Sequence, residues 1–377
     1  MAYDLALTGG RVIDPSQGID RHIDVAFENG KVAALGDGLT ATHTQDVSGQ
    51  IVTPGLIDMH THVYWGGTSL GVDADAYAHQ SAVTTCIDTG SAGPGNFPGF
   101  KAHVIEPAKV RILVYLHVSF AGIYAFFPTV MVGESHDMRL MAAREAVAVA
   151  AQNPGCIVGI KVRVGRHASG DSGIAPLLVA LDVADQAGLP LMCHIDEPPP
   201  TYGEVVDLLR PGDVLTHCFR PFPNAPVHGD GTVRQSVLDA RARGVFFDVG
   251  HGMGSFSWKT ARAMANAGFW PDTISSDVHA MCIEGPAWDL LRTMTKFLYL
   301  GMPLEQVISL ATNNAATAIG RPDLGTFAIG ATGDASVLSL DATEIQLEDV
   351  LGNVEIYDQQ LFARGLVIDG AWQQALK

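Results

Sequence analysis

Pro54-Gly55-Leu56-Ile57-Asp58-Met59-His60-Thr61-His62 is the stretch on which the fold turns. A short apolar run leads into two histidines spaced by one residue. On a strand, residues two apart share a face, so His60 and His62 project together at its C-terminal end. Alone, such a pair is as readily a packing feature as a ligand pair. Its meaning comes from the rest of the chain.

Short apolar, β-branched runs recur at Val83–Asp88, Val110–Val118, Ile157–Val164, Leu189–His194, Val214–His217, Val245–Val249 and Thr273–Ser276. Helical stretches alternate with several of them: Met138–Gln152 halted by Pro154-Gly155, Ile174–Ala187 by Gly188, Val233–Arg243 by Gly244 and Phe256–Ala267 by Gly268. With the strand before His60 there are eight strand candidates. The pattern predicts an α/β chain with a parallel sheet closed into a (β/α)8 TIM barrel. An open doubly wound sheet is the alternative, and no GxGxxG motif opens a first helix to favour it.

The two ends read differently. Asp4–Thr8, His22–Phe27 and Val32–Leu35 are strand-like, with Asn29-Gly30 as a hairpin turn, and Ala335–Leu340, Leu361–Ala363 and Leu366–Ile368 repeat that character before Asp369-Gly370. Both termini are therefore expected to build one small β-sandwich domain, residues 1–53 with 323–377, around a barrel over 54–322.

The chain has 377 residues, 47% of them hydrophobic, and a formal charge of −17. No basic cluster points to nucleic acid. No apolar run reaches the ~20 residues of a membrane helix, and Met1 to Gly10 lacks the features of a secretory signal. The expectation is a cytoplasmic enzyme. The five cysteines, Cys86, Cys156, Cys193, Cys218 and Cys282, are odd in number and widely spaced, as reduced core thiols are.

Polar residues close three more of the runs: His194, His217 and Asp277. All should reach the barrel mouth, where barrel enzymes do their chemistry. Four histidines and an aspartate gathered there are costly to bury without a partner, and a divalent metal satisfies them. Lys161 lies inside the apolar strand Gly159-Ile160-Lys161-Val162-Arg163. Burial near cations favours its neutral amine, and a neutral amine adds CO2 to become a carbamate able to bridge two metals.

The ordered set His60-x-His62, Lys161, His194, His217 and Asp277 resembles the pattern of binuclear amidohydrolases with a carboxylated lysine. Ala311-Thr312-Asn313-Asn314-Ala315-Ala316 and Gly320 fit the same pattern. Within that superfamily the chain is similar to the amidohydrolase/deacetylase metallohydrolases, dihydroorotase-like proteins that deacetylate acetyl-(R)-mandelate and N-acetyl-D-amino acids. The finer match rests on Gly159–Arg163, His194-Ile195-Asp196-Glu197-Pro198-Pro199-Pro200 and Asp248–Phe256.

The resemblance implies two divalent ions, zinc by preference. His60, His62 and Asp277 would hold one and His194 and His217 the other, bridged by N6-carboxylysine at Lys161. A metal-bridging hydroxide would attack the acyl carbonyl of an anionic small molecule, with Asp277 carrying the proton. Arg163 shares the face of Lys161 and is the candidate for a substrate carboxylate. His251, in a glycine-rich loop, and Tyr124 are further candidates for substrate contact. His279, two residues beyond Asp277, could orient it. A homo-oligomer is expected. His194 and Glu197 form an HxxE, which leaves open nucleobase deamination through Glu197, as the family match leaves open a cyclic amidohydrolase. A metal-binding sensor without catalysis would lack a ligand or base, and none is missing.

Overall fold

The computed structural model describes residues 2–375; Met1, Leu376 and Lys377, the outermost residues of the expected terminal domain, lie outside it. Its centre is a curled parallel sheet of seven strands: β1 (Leu56–Thr61), β2 (Val83–Thr89), β3 (Arg111–His117), β4 (Ile157–Val164), β5 (Leu191–Ile195), β6 (Val214–Leu215) and β7 (Phe246–Phe247), hydrogen-bonded in chain order. All eight residues of β4 are buried, as in a parallel strand covered on both faces. Its register sets Lys161 beside His117 of β3 and Arg163 beside His194 of β5.

The eighth expected strand is not a regular one. Thr273 bridges Asp248 on one side and Val278 bridges Thr61 on the other, both in parallel sense, so segment 273–278 spans the gap between β7 and β1. Its side chains explain the difference. Thr273 and Ser275 donate to the buried Asp248 carboxylate, and Ser276 donates to the buried Asp58. Carboxylates take over part of the work of a backbone ladder.

The expected helices form at Ala143–Gln152, Ala175–Ala187, Gln235–Ala242 and Trp258–Asn266, while Met138–Leu140 is only a short 3-10 turn. Gly188 ends the second of these at φ +65, a left-handed cap.

The terminal segments make two further sheets. One has Lys31–Gly36, Asp24–Glu28, Tyr3–Thr8 and Ala41–Asp46 in spatial order; Asn29 and Gly30 turn its hairpin with φ +51 and +72, as a two-residue primed turn requires. The other runs Ala371–Gln374, Val354–Ile368, Ala335–Glu348, Ile51–Pro54, Arg11–Asp14, Ile19–His22, and so joins both ends of the chain. Leu5, Val25 and Phe27 of the first pack in one apolar cluster with Val12, Val52, Val337 and Val367 of the second. The two short strands expected at 361–363 and 366–368 are one long strand, Val354–Ile368, which pairs with Ala335–Glu348 and lies against helix Leu290–Tyr299.

All five cysteines are free. Among the described residues no helix is long and apolar enough to cross a membrane.

Candidate active site

β1 ends in the expected pair. Nε2 of His60 and Nε2 of His62 each lie 3.2 Å from Oδ1 of Asp277. The three ligand atoms fall within 4.8 Å of one another. Each imidazole is held from behind. His60 Nδ1 is 2.9 Å from Thr216 Oγ1, which donates to Asp248 at 2.7 Å, and His62 Nδ1 is 2.9 Å from Ser91 Oγ. Such partners fix ring orientation and leave Nε2 for a metal.

Lys161 is fully buried, its Nζ 3.4 Å from His60 Nε2 and 3.3 Å from Met192 Sδ. Among the described residues no carboxylate pairs with it, and burial brings its amine down to about 8. On the far side of it, His194 Nδ1 and His217 Nε2 are 2.6 Å apart. His217 Nδ1 donates to the Gly250 carbonyl at 2.7 Å, so its Nε2 carries the lone pair. Two ring nitrogens that close repel unless a proton or a cation lies at their meeting point. His194 Nε2 is itself buried without a hydrogen-bond partner. Burial drives His60, His194 and His217 well below the ordinary histidine range and His62 to about 3, so all four rings are neutral donors. Burial raises Asp277 to about 6. These residues fit divalent metals.

Two of the six groups sit on strained backbone. His217 has φ +70 and Asp277 φ +50, left-handed positions that non-glycine residues hold only where the surroundings dictate them. The loop after β7 closes over both. A Cβ on Gly252 would stand 2.2 Å from Asp277 Oδ2, and one on Gly250 would stand 2.3 Å from Thr216 Oγ1 and 2.8 Å from His217 Nδ1. Only glycine permits that approach.

The cavity above these groups holds about 100 Å³. Leu70, Ile123, Phe126 and Met253 give it apolar walls, and Arg163 and His279 add polar ones. Arg163 forms an ion pair through Nε with Glu134 Oε1 at 3.3 Å, and its guanidinium lies 5.0 Å from the centre of the Phe126 ring. Among the described residues its terminal nitrogens have no protein acceptor, and the side chain lines the cavity.

Three expected contacts lie elsewhere. Tyr124 is half-exposed and outside the cavity lining. His251 is buried behind the wall that Met253–Ser255 form. It stacks on Phe256 with ring centres 4.8 Å apart, and its Nε2 is 2.5 Å from Lys296 Nζ. Gly250 and Gly252, at φ +47 and +50, flank it as the loop turns its side chain toward the core. The Glu197 side chain is 41% exposed and sits near Arg166 and His167, away from the cavity.

Two buried groups escaped the sequence reading. His117 closes β3 as His194 does not quite close β5, and the same strand-end signal could have found it. Glu134 lies in an irregular loop, where periodicity carries no information.

The residues 257–370 match the model of the Amidohydrolase family. A deacetylase of Agrobacterium fabrum is 34% identical over 329 residues, 86% of this chain and 80% of its own length. The chain belongs to the amidohydrolase family. Two solved structures resemble this amidohydrolase along nearly all of it. An adenine deaminase matches with TM-score 0.92 and 29% identity over 99% of this chain and 100% of that one; a dihydroorotase matches with TM-score 0.90 and 30% identity over 98% and 99%. The amidohydrolase is thus a metal-dependent hydrolase of amide or ester bonds, built on the TIM-barrel type of its neighbours.

Proposed function

We propose that this amidohydrolase removes the acyl group from small carboxylate-bearing molecules, N-acyl amino acids or O-acyl 2-hydroxy acids. The observation that carries the reading is convergence: four neutral imidazoles, Lys161 and Asp277 meet at one cavity, with the free edge of Arg163 on its wall. In this reading His60, His62 and Asp277 would hold one divalent ion, zinc by preference, and His194 and His217 a second. Lys161, brought down to about 8 and without an acid partner among the described residues, would take up CO2 as its neutral amine with release of a proton, and the carbamate so formed would be a further ligand for these ions. Such ions, when bound, would supply hydroxide at neutral pH and polarise an acyl carbonyl.

The chain's own residues do the rest. Arg163 receives the substrate carboxylate and fixes the neighbouring acyl group over the ligand cluster. Asp277 accepts the nucleophile's proton and returns it to the leaving nitrogen or oxygen. Leu70, Ile123, Phe126 and Met253 exclude bulk water. The reading also takes the two terminal sheets, residues 1–53 with 323–377, as one β-sandwich domain beside a hydrolase domain over 54–322, and the enzyme as a cytoplasmic homo-oligomer.

Deamination through Glu197 finds no support in a carboxylate that lies outside the cavity. A dihydroorotase-like ring opening uses the same ligands and differs only in substrate. The test is a screen with metal-loaded enzyme: N-acetyl amino acids of both hands, their O-acetyl hydroxy-acid counterparts, the matching carboxamides, dihydroorotate and nucleobases. Acetate release from carboxylate-bearing substrates of one hand is expected, with carboxamides at least ~10-fold poorer in kcat/KM. Ammonia from nucleobases, ring opening alone, or equal turnover of acids and carboxamides overturns the proposal.

A further inference from the structure

The loop that leaves β3 delivers two side chains to one guanidinium. Phe126, in the short hairpin Phe126–Phe127 with Val130–Met131, lies under its face at 5.0 Å. Glu134, a few residues on and fully buried, meets its inner edge: Oε1 is 3.3 Å from Arg163 Nε. The same oxygen is 3.2 Å from Nε2 of the buried His117. His117 Nδ1 accepts from the Ser119 backbone N–H at 2.9 Å, so its proton sits on Nε2 and is donated to Glu134. Burial lowers the pKa of His117 and keeps it neutral. Burial alone would raise Glu134, but the charge of Arg163 and the His117 hydrogen bond outweigh it and the carboxylate is held below its ordinary range.

Arg163 therefore has a carboxylate beside its Nε edge, held by charge and not by a hydrogen bond, and a ring on one face, while its terminal nitrogens are turned to the cavity. A guanidinium flanked in this way can offer a two-pronged edge to a planar anion in one orientation. We infer that Glu134, with Phe126, is a positioning element that makes Arg163 selective for a substrate carboxylate, so that specificity resides in the loop after β3 as well as in the strand that bears the arginine. The inference rests on the carboxylate reading above and adds the group that enforces it.

A negative charge beside an anion's receptor is unexpected if charge alone matters. Removing it should then improve turnover of anionic substrates. Positioning predicts the opposite sign, and the two are separable. In Glu134→Gln, the ratio of kcat/KM for an N-acetyl amino acid to that for its carboxamide should fall ~10-fold, through KM for the acid, while the carboxamide changes little. Phe126→Leu, on a partly exposed hairpin, should lower the same ratio less, and it keeps the test open should Glu134→Gln fold poorly. An equal loss on both substrates makes Glu134 merely structural, and a rise in the ratio makes it an electrostatic brake; either overturns the inference. If the unaltered enzyme already treats acid and carboxamide alike, the carboxylate reading itself falls, and this one with it.

Discussion

Asp277 has to serve two partners at once. Its Oδ1 is 3.2 Å from both His60 and His62, and the side chain borders the cavity where substrate would lie. An asparagine keeps the shape and one ligand oxygen but cannot carry a proton. Asp277→Asn should therefore lower kcat by a factor on the order of 10² or more while KM changes far less, measured on metal-loaded protein. A near-normal kcat would pass the proton to His279, which also lines the cavity and which burial lowers to about 4. Single residues were legible in the sequence where a strand end announced them. His60, His62, Lys161, His194, His217 and Asp277 are brought together because alternation and a shared barrel end leave them little freedom. Loop residues were not legible. His251 misled, since a glycine-rich loop turns a side chain inward as easily as outward, and Glu134 stayed hidden because nothing local encodes the path of the chain that buries it.

Among the elements, helix Leu290–Tyr299 has an unexpected task. Asp289 caps its start by accepting from the Arg292 backbone N–H at 2.7 Å, and Lys296 runs from its buried face into the protein. The Lys296 amine donates to the carbonyls of Glu348 at 2.6 Å and Pro286 at 3.1 Å and meets His251 of the glycine-rich loop. One side chain thus ties the end of strand Ala335–Glu348 to the loop that packs on Asp277. Burial, with the charge of Arg292 added, brings the amine down to about 7 although the carboxylates of Asp349 and Glu348 favour the ammonium. Unfolded, a lysine titrates near ~10.4. Between these values the unfolded chain holds a proton that the folded chain lacks, so this residue makes stability rise with pH across that window; below it the full penalty persists. Lys296→Met should lose that slope. Its stability relative to the unaltered protein should be higher at pH 7.5 than at pH 9.5, read from unfolding midpoints at each pH, and parallel curves would show Lys296 charged in the fold. The four helices read from sequence end where a glycine, or Pro154-Gly155, stops them, but helices Ala74–Ser81, Leu290–Tyr299, Leu304–Leu310 and Asn313–Ala318 were not read. Nor was the terminal arm, since Val354–Ile368 gains its length from pairing with Ala335–Glu348 and from the helix beneath it, neither of which is local.

At the scale of the whole molecule, the sequence made the parallel sheet and the shared origin of the terminal sheets legible, because repeated strand–helix alternation has few other solutions. It overstated one segment. Thr273–Ser276 has the β-branched and apolar character of a strand, yet its hydroxyls turn to Asp58 and Asp248; on the β7 side it still accepts backbone hydrogen bonds from Val249, His251 and Gly252, while at β1 the bond from His62 N–H to the Val278 carbonyl makes the join. The join to β1 is a thinly laddered seam, with the Thr61–Val278 bridge and its one hydrogen bond, and Asp277 stands beside it, facing His60 and His62. An ion held by those three residues would act as a clasp. Stripping it with a chelator should speed amide hydrogen exchange in residues 273–278, leave β3 and β4 protected, and lower Tm; unchanged exchange would mean that the two buried carboxylates hold the seam unaided. An enzyme so built advertises its own emptiness. Apoprotein would open first at the seam and offer a cleavable strand to proteases, so that turnover in the cell would sort loaded copies from unloaded ones without any dedicated sensor.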